Sequence, residues 1–122
     1  MTTSDTKQAD RRTLRVASVQ FEASPADKGA NFAKMEAFLC QAAEQGVRLV
    51  VFPECCITGY WFIRNLSHEQ LGELAEPIPD GPSTKRLVGL ARQYGISIGA
   101  GLVEASDSGE FYNSYVVALP DG

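Results

Sequence analysis

Apolar residues recur along this chain with two different periods. In "LRVASVQ" (14–20) apolar and polar positions alternate, which predicts a strand. In the segment from Ser24 to Gly46 the apolar positions Phe32, Met35, Leu39 and Ala42 or Ala43 recur at helical spacing. Ser24 and Pro25 suit the start of that helix and Gly46 its end. Cys40 falls inside it and reads as a small buried apolar residue. "RLVVF" (48–52) is a nearly continuous apolar run, the pattern of a strand buried on both faces. Ser67 and Gln70 form a capping-box pair for a short helix through about Ala75. "EPIPDGPS" is rich in turn residues. A second amphipathic helix follows, with Leu87, Leu90, Ala91 and Tyr94 on one side and a stop at Gly95. "ISIGAGLVE" (96–104) and "FYNSYVVAL" (111–119) are strands joined by the turn "ASDSGE".

This order predicts strand–helix–strand units, hence parallel pairing with right-handed crossovers, closed by an antiparallel hairpin. The fold class is α/β. Residues 1–13 are expected to be a disordered tail and residues 14–122 one domain. Two helices cover only one face of a sheet whose strands are apolar on both, so something else must cover the second face. The sequence ends in "LPDG", and Asp-Gly is a hairpin-turn pair with no return strand after it. The expectation is therefore the N-terminal part of a longer chain.

Composition narrows the function classes. The chain has 122 residues and a net charge of −4, with a pI near 4.9. It lacks the basic face that nucleic-acid binding requires. Arg11, Arg12 and Arg15 sit beside a polar N-terminus and read as a solvated cluster. "MTTSDTKQADRR" has no apolar core of a signal peptide, and Glu54 and Arg64 interrupt the longest apolar stretches. No membrane contact is expected. Three cysteines, two of them adjacent, fit no zinc spacing, so no metal is expected; a reduced cytoplasmic setting suits them.

Several motif fragments carry no chemistry. "GPSTK" (81–85) lacks the Gly-Lys-Ser/Thr ending of a phosphate loop. "GAG" (99–101) lacks the third glycine of a dinucleotide fingerprint and lies within a strand, where small residues allow close packing. His68 stands at a polar helix start and reads as a surface residue. Glu54 is different. It lies just past the carboxyl end of a parallel strand, where α/β sheets gather functional groups, and Pro53 ends the ladder before it. In a partly apolar pocket, burial would suit its carboxylate to proton transfer. On spacing alone, a structural pairing with an arginine is an equal alternative. Cys55 and Cys56 follow on a segment read as extended, where neighbouring side chains diverge, and both read as packing residues.

Taken together, "LRVASVQ", "LVVFPECCITGY", "GPSTKRLVGLARQYGISIGAGLVE" and "FYNSYVVALPDG" resemble the nitrilase superfamily of carbon–nitrogen hydrolases over about residues 14–122. The resemblance implies an α-β-β-α sandwich, of which this chain would be the N-terminal part. It implies hydrolysis of small-molecule amides, carbamoyl amines or nitriles by a Glu–Lys–Cys triad, with no cofactor, in a homo-oligomer. Glu54 matches the catalytic glutamate. Tyr60 matches a tyrosine near the pocket wall and is a candidate substrate contact. Asn113 matches a position that supports the site. The triad's lysine and cysteine have no counterpart: Lys7, Lys28, Lys34, Lys85, Cys40, Cys55 and Cys56 all lie outside those motifs. The 122 residues alone are therefore expected to be inactive. Two other readings remain: a non-catalytic α/β module that pairs through its exposed sheet face, and a thiol or redox site at Cys55 or Cys56.

Overall fold

The computed structural model describes residues 12–122. The expected tail thus lies outside the described residues up to residue 11. The elements run β1 (Val16–Ser18), α1 (Lys28–Glu44), β2 (Leu49–Val51), a 3-10 turn (Trp61–Asn65), α2 (His68–Leu74), α3 (Pro82–Tyr94), β3 (Ser97–Ala105) and β4 (Phe111–Ala118). They form one four-stranded sheet in the order β1-β2-β3-β4. β1, β2 and β3 are parallel, with Ala17 opposite Val50 and Val50 opposite Ile98. β4 returns antiparallel, with Ala100 opposite Val116 and Val103 opposite Asn113.

Side chains alternate across a strand, so each residue's face follows from its neighbours. Val50, Ile98, Ala100, Leu102 and Ala118 share one buried cluster with Met35 and Leu39 of α1 and Leu87, Leu90 and Ala91 of α3. Helices α1 and α3 therefore cover this one face, while α2 packs His68 against Phe111 on the other. The opposite face carries Val16, Val51, Gly99, Gly101, Tyr115 and Val117. Val16 and Val117 remain 56% and 57% exposed. The two-sided burial that the run at 48–52 suggested is met on one side only: Val50 is buried, while Leu49 and Val51 are half-buried.

Other expectations shift locally. The regular part of the first strand is only Val16–Ser18, and Leu14 before it is 57% exposed, as befits an edge. Helix α1 starts at Lys28, not at Ser24–Pro25. The Asp27 carboxylate accepts from the Ala30 N–H at 3.0 Å and caps it. Cys40 is exposed, because the stripe through Phe32, Met35, Leu39 and Ala42 faces the sheet and Cys40 falls beside it. Ser67 and Gln70 form the reciprocal capping box at the start of α2. Gly95 ends α3 in the left-handed conformation, φ 66°. Arg15 is not merely solvated: its guanidinium donates to the Gln45 carbonyl at the end of α1.

A buried carboxylate ties the connecting loops together. Glu76 accepts from the backbone N–H and hydroxyl of Ser83 at 2.8 and 2.6 Å, at the start of α3. It also pairs with Lys28 at 2.6 Å. Its own backbone bonds Val103 and Ala105 of β3. Burial alone would push this carboxyl up, but the bonds from Lys28 and Ser83 outweigh it and hold the group below its ordinary value.

Candidate active site

The segment after β2 does not stay extended. Pro53 ends the ladder, and the chain folds into turns through Thr58, with Cys56 N–H on Pro53 O at 3.3 Å and Gly59 N–H on Cys55 O at 2.8 Å. Cys55 takes a left-handed conformation, φ 52°. The reading of residues 54–56 as extended is thus corrected: the backbone turns there because proline cannot continue the ladder and the loop must cross β3.

Two glycines in β3 accommodate that crossing. A Cβ on Gly101 would collide with the backbone of Cys55 and Glu54. A Cβ on Gly99 would stand 2.8 Å from the Tyr115 ring. The Tyr115 hydroxyl in turn donates to the Phe52 carbonyl at 2.7 Å. The two glycines of "GAG" thus serve close packing: Gly101 against the turn that carries Glu54, Gly99 against the Tyr115 ring.

Glu54 is exposed, which corrects the expected burial of its carboxylate in a partly apolar pocket. The face on which it sits is the one that α1 and α3 leave uncovered. Its partner is an asparagine, not an arginine: the Asn113 side-chain amide donates to Glu54 Oε1. The Asn113 carbonyl oxygen accepts from the Cys55 thiol at 3.4 Å. Asn113 therefore bridges the acid and its neighbour from β4, a strand 59 residues further along the chain.

The adjacent cysteines are both buried. Burial, and then the charge of Glu54, push the Cys55 thiol up. Burial pushes Cys56 up to about 11. A nucleophilic or redox cysteine needs the opposite shift and access to solvent. All three cysteines are free thiols.

A cleft of about 650 Å³ opens beside Glu54, lined by Gln20, Phe21, Glu22, Ala23, Pro25, Pro53, Cys55, Cys56, Gly59, Tyr60, Trp61 and Phe62. Tyr60, at 49% exposure, is on its wall, and its ring lies 5.6 Å from that of Trp61. Asn113 touches Glu54 but lines a smaller neighbouring depression together with Cys55, Tyr60 and Val103. The structure thus brings Glu54, Tyr60 and Asn113 together. His68 does not line the cleft; its ring packs at a tilt against that of Phe111, centroids 4.6 Å apart. Among the described residues no lysine lines the cleft: Lys28 is bonded to Glu76, and Lys34 to the Glu22 carbonyl and the Ser24 hydroxyl. Among the described residues, no three His, Cys, Asp or Glu side chains gather to hold a metal ion. No described helix is long and apolar enough to cross a membrane.

One residue near the site escaped the sequence reading. Asn31 is fully buried and exchanges two bonds with the Ser24 backbone, at 2.7 and 2.9 Å. It also donates to the Ile57 carbonyl at 2.9 Å, holding the far end of the Glu54 turn. The available signal was its place on the apolar stripe of α1, one turn before Met35. A polar residue there must find partners.

A family model described as "Carbon-nitrogen hydrolase" matches residues 15–122. A nitrilase of Pyrococcus abyssi is 38% identical over 109 residues, spanning 89% of this chain and 40% of that protein. An omega-amidase of Xenopus laevis is 37% identical over 109 residues, spanning 89% of this chain and 37% of its own length. Among solved structures, a CN-hydrolase superfamily protein of Xanthomonas campestris superposes with a TM-score of 0.72 at 27% identity, over 88% of this chain and 37% of that one. The chain thus spans about two-fifths of the length of these relatives.

Proposed function

Since the chain belongs to the carbon–nitrogen hydrolase family, we propose that it supplies the proton-transferring glutamate, Glu54, of an enzyme that hydrolyses small-molecule amides, carbamoyl amines or nitriles. The observation that carries this reading is the placement of Glu54: just past β2, on a glycine-seated turn, beside an open cleft, with its carboxylate held by Asn113. The names of the relatives, an omega-amidase and a nitrilase, support the substrate class.

In an amide hydrolysis of this kind Glu54 takes the proton of a cysteine thiol. The sulfur attacks the amide carbon, a C–S bond forms, and a lysine stabilises the oxyanion. Glu54 then delivers the proton to the departing amine as the C–N bond breaks. Next it takes a proton from water; the hydroxide displaces the sulfur and Glu54 returns the proton to it. The thiol and the lysine would come from outside residues 14–122, since neither matching position exists there and no described lysine lines the cleft. We read the complete protein as a homo-oligomer in a reducing compartment such as the cytoplasm, which suits three free thiols.

The test is to assay the purified 122-residue chain beside the product of its natural gene, after an intact-mass measurement of the latter. The reading predicts ammonia release by the gene product and none by the 122 residues alone. Turnover by the 122-residue chain that Glu54→Gln abolishes contradicts it.

A second reading draws on the exposed apolar face around Val16 and Val117: a non-catalytic module that pairs through this sheet. A gene product of 13.2 kDa that forms a stable oligomer and hydrolyses nothing would favour it.

A further inference from the structure

Glu54 is exposed, and a free glutamate side chain samples many rotamers. A base must instead meet its proton at one place. The device that selects one arrangement is Asn113. It stands in the middle of β4, directly opposite Val103 in the ladder, so its backbone is fixed by the sheet. Its two amide ends have different partners. The Nδ2 group donates to Glu54 Oε1, and Oδ1 accepts from the Cys55 thiol at 3.4 Å. Turning the amide over would set an oxygen against the carboxylate and take from the thiol the oxygen to which it donates. The two contacts therefore lock each other.

We propose that Asn113 is the positioning residue of the Glu54 base: its amide, oriented by the Cys55 thiol, holds Oε1 and leaves Oε2 to carry the proton. Asn113 makes no bond to substrate in this role and acts only through Glu54. Cys55 gains a purpose here without being a nucleophile, because a buried thiol that keeps its proton is a donor that fixes which way the amide faces. The inference rests on the reading of Glu54 as the base, and the experiment separates the two.

The experiment uses the natural gene product and a simple amide that it hydrolyses. Wild type, Glu54→Gln, Asn113→Ala and Asn113→Asp are compared for kcat, KM and the pH dependence of kcat/KM, with thermal melting alongside. Asn113 is exposed and Asn113→Asp is isosteric, so the fold is expected to persist. Both Asn113 variants should lose about 10- to 100-fold in kcat, the scale of a misplaced catalytic group, with KM changed less than about twofold. In Asn113→Asp the acidic limb of the profile should also move to higher pH, because a second carboxylate beside Glu54 disfavours its charged form. Wild-type kcat in both variants, or a fall in kcat with an unmoved profile in Asn113→Asp, overturns the proposal while leaving Glu54 as the base if Glu54→Gln is inactive. An active Glu54→Gln overturns both.

Discussion

Gly101 lies directly beneath Cys55: a side chain on this β3 glycine would overlap the Cys55 backbone nitrogen and approach Glu54 Cα to 3.0 Å. The turn that presents Glu54 is seated on bare backbone. Its neighbour on the strand, Gly99, is bare for the same kind of reason, under the ring of Tyr115. Strand β3 therefore gives up side-chain packing at two positions on one face to hold a loop and a tyrosine that together shape the site.

The first prediction contrasts two glycines. Gly101→Ala should destabilise the protein by about 1–3 kcal/mol, the cost of forcing atoms into a packed contact. Gly89 lies in α3 with nothing near its vacant position. Gly89→Ala should stabilise by up to about 1 kcal/mol. Urea unfolding of both variants checks the pair.

Tyr115→Phe removes the hydroxyl that donates to the Phe52 carbonyl. A loss of about 0.5–1.5 kcal/mol is expected in the same assay. A variant as stable as wild type would show that this bond does not hold the start of the turn.

Glu76 predicts an acid-sensitive contribution. Its carboxyl lies below the ordinary value in the folded state, so the unfolded chain binds its proton more readily. The stabilisation is present above the unfolded glutamate value and is lost as pH falls through the lowered folded one. Glu76→Gln should cost about 1–3 kcal/mol near pH 7 and flatten the fall in stability below about pH 4.5. Unfolding free energies measured from pH 7 down to 3 follow this directly.

Thiol labelling distinguishes the cysteines. Cys40 is exposed, whereas Cys55 and Cys56 are buried and shifted up. At pH 8 one thiol should react quickly and two more slowly, by on the order of 100-fold. Unfolding should make all three equal. Fast labelling of Cys55 or Cys56 in the folded protein would revive a reactive role for that residue.

How far the sequence foretold this arrangement varies with the range of the interactions. The stripe of α1, the capping box of Ser67 and Gln70 and the stop at Gly95 depend on neighbours within a few residues, and the pattern alone located them. The parallel direction of β1, β2 and β3 followed from the helix-bearing connections. The start of α1 was misjudged because Ser24, Pro25 and Asp27 can all begin a helix, and only the bond from Ala30 decides among them. Cys40 was misjudged by its type rather than its phase. The surroundings of Glu54 were misread for a different reason. Its exposure depends on which sheet face α1 and α3 leave uncovered, and its bond to Asn113 joins residues that no local pattern connects. A family resemblance marked Glu54 as the candidate acid; its contact with Asn113 is visible only in the fold.

The most direct test of the central claim is kcat/KM of the natural gene product and of its Glu54→Gln variant on the same amide. If Glu54 transfers the protons, the variant should fold with an unchanged melting temperature and lose about 100- to 10,000-fold in activity. Activity within about twofold of wild type would contradict the account and leave Glu54 a structural residue of the turn.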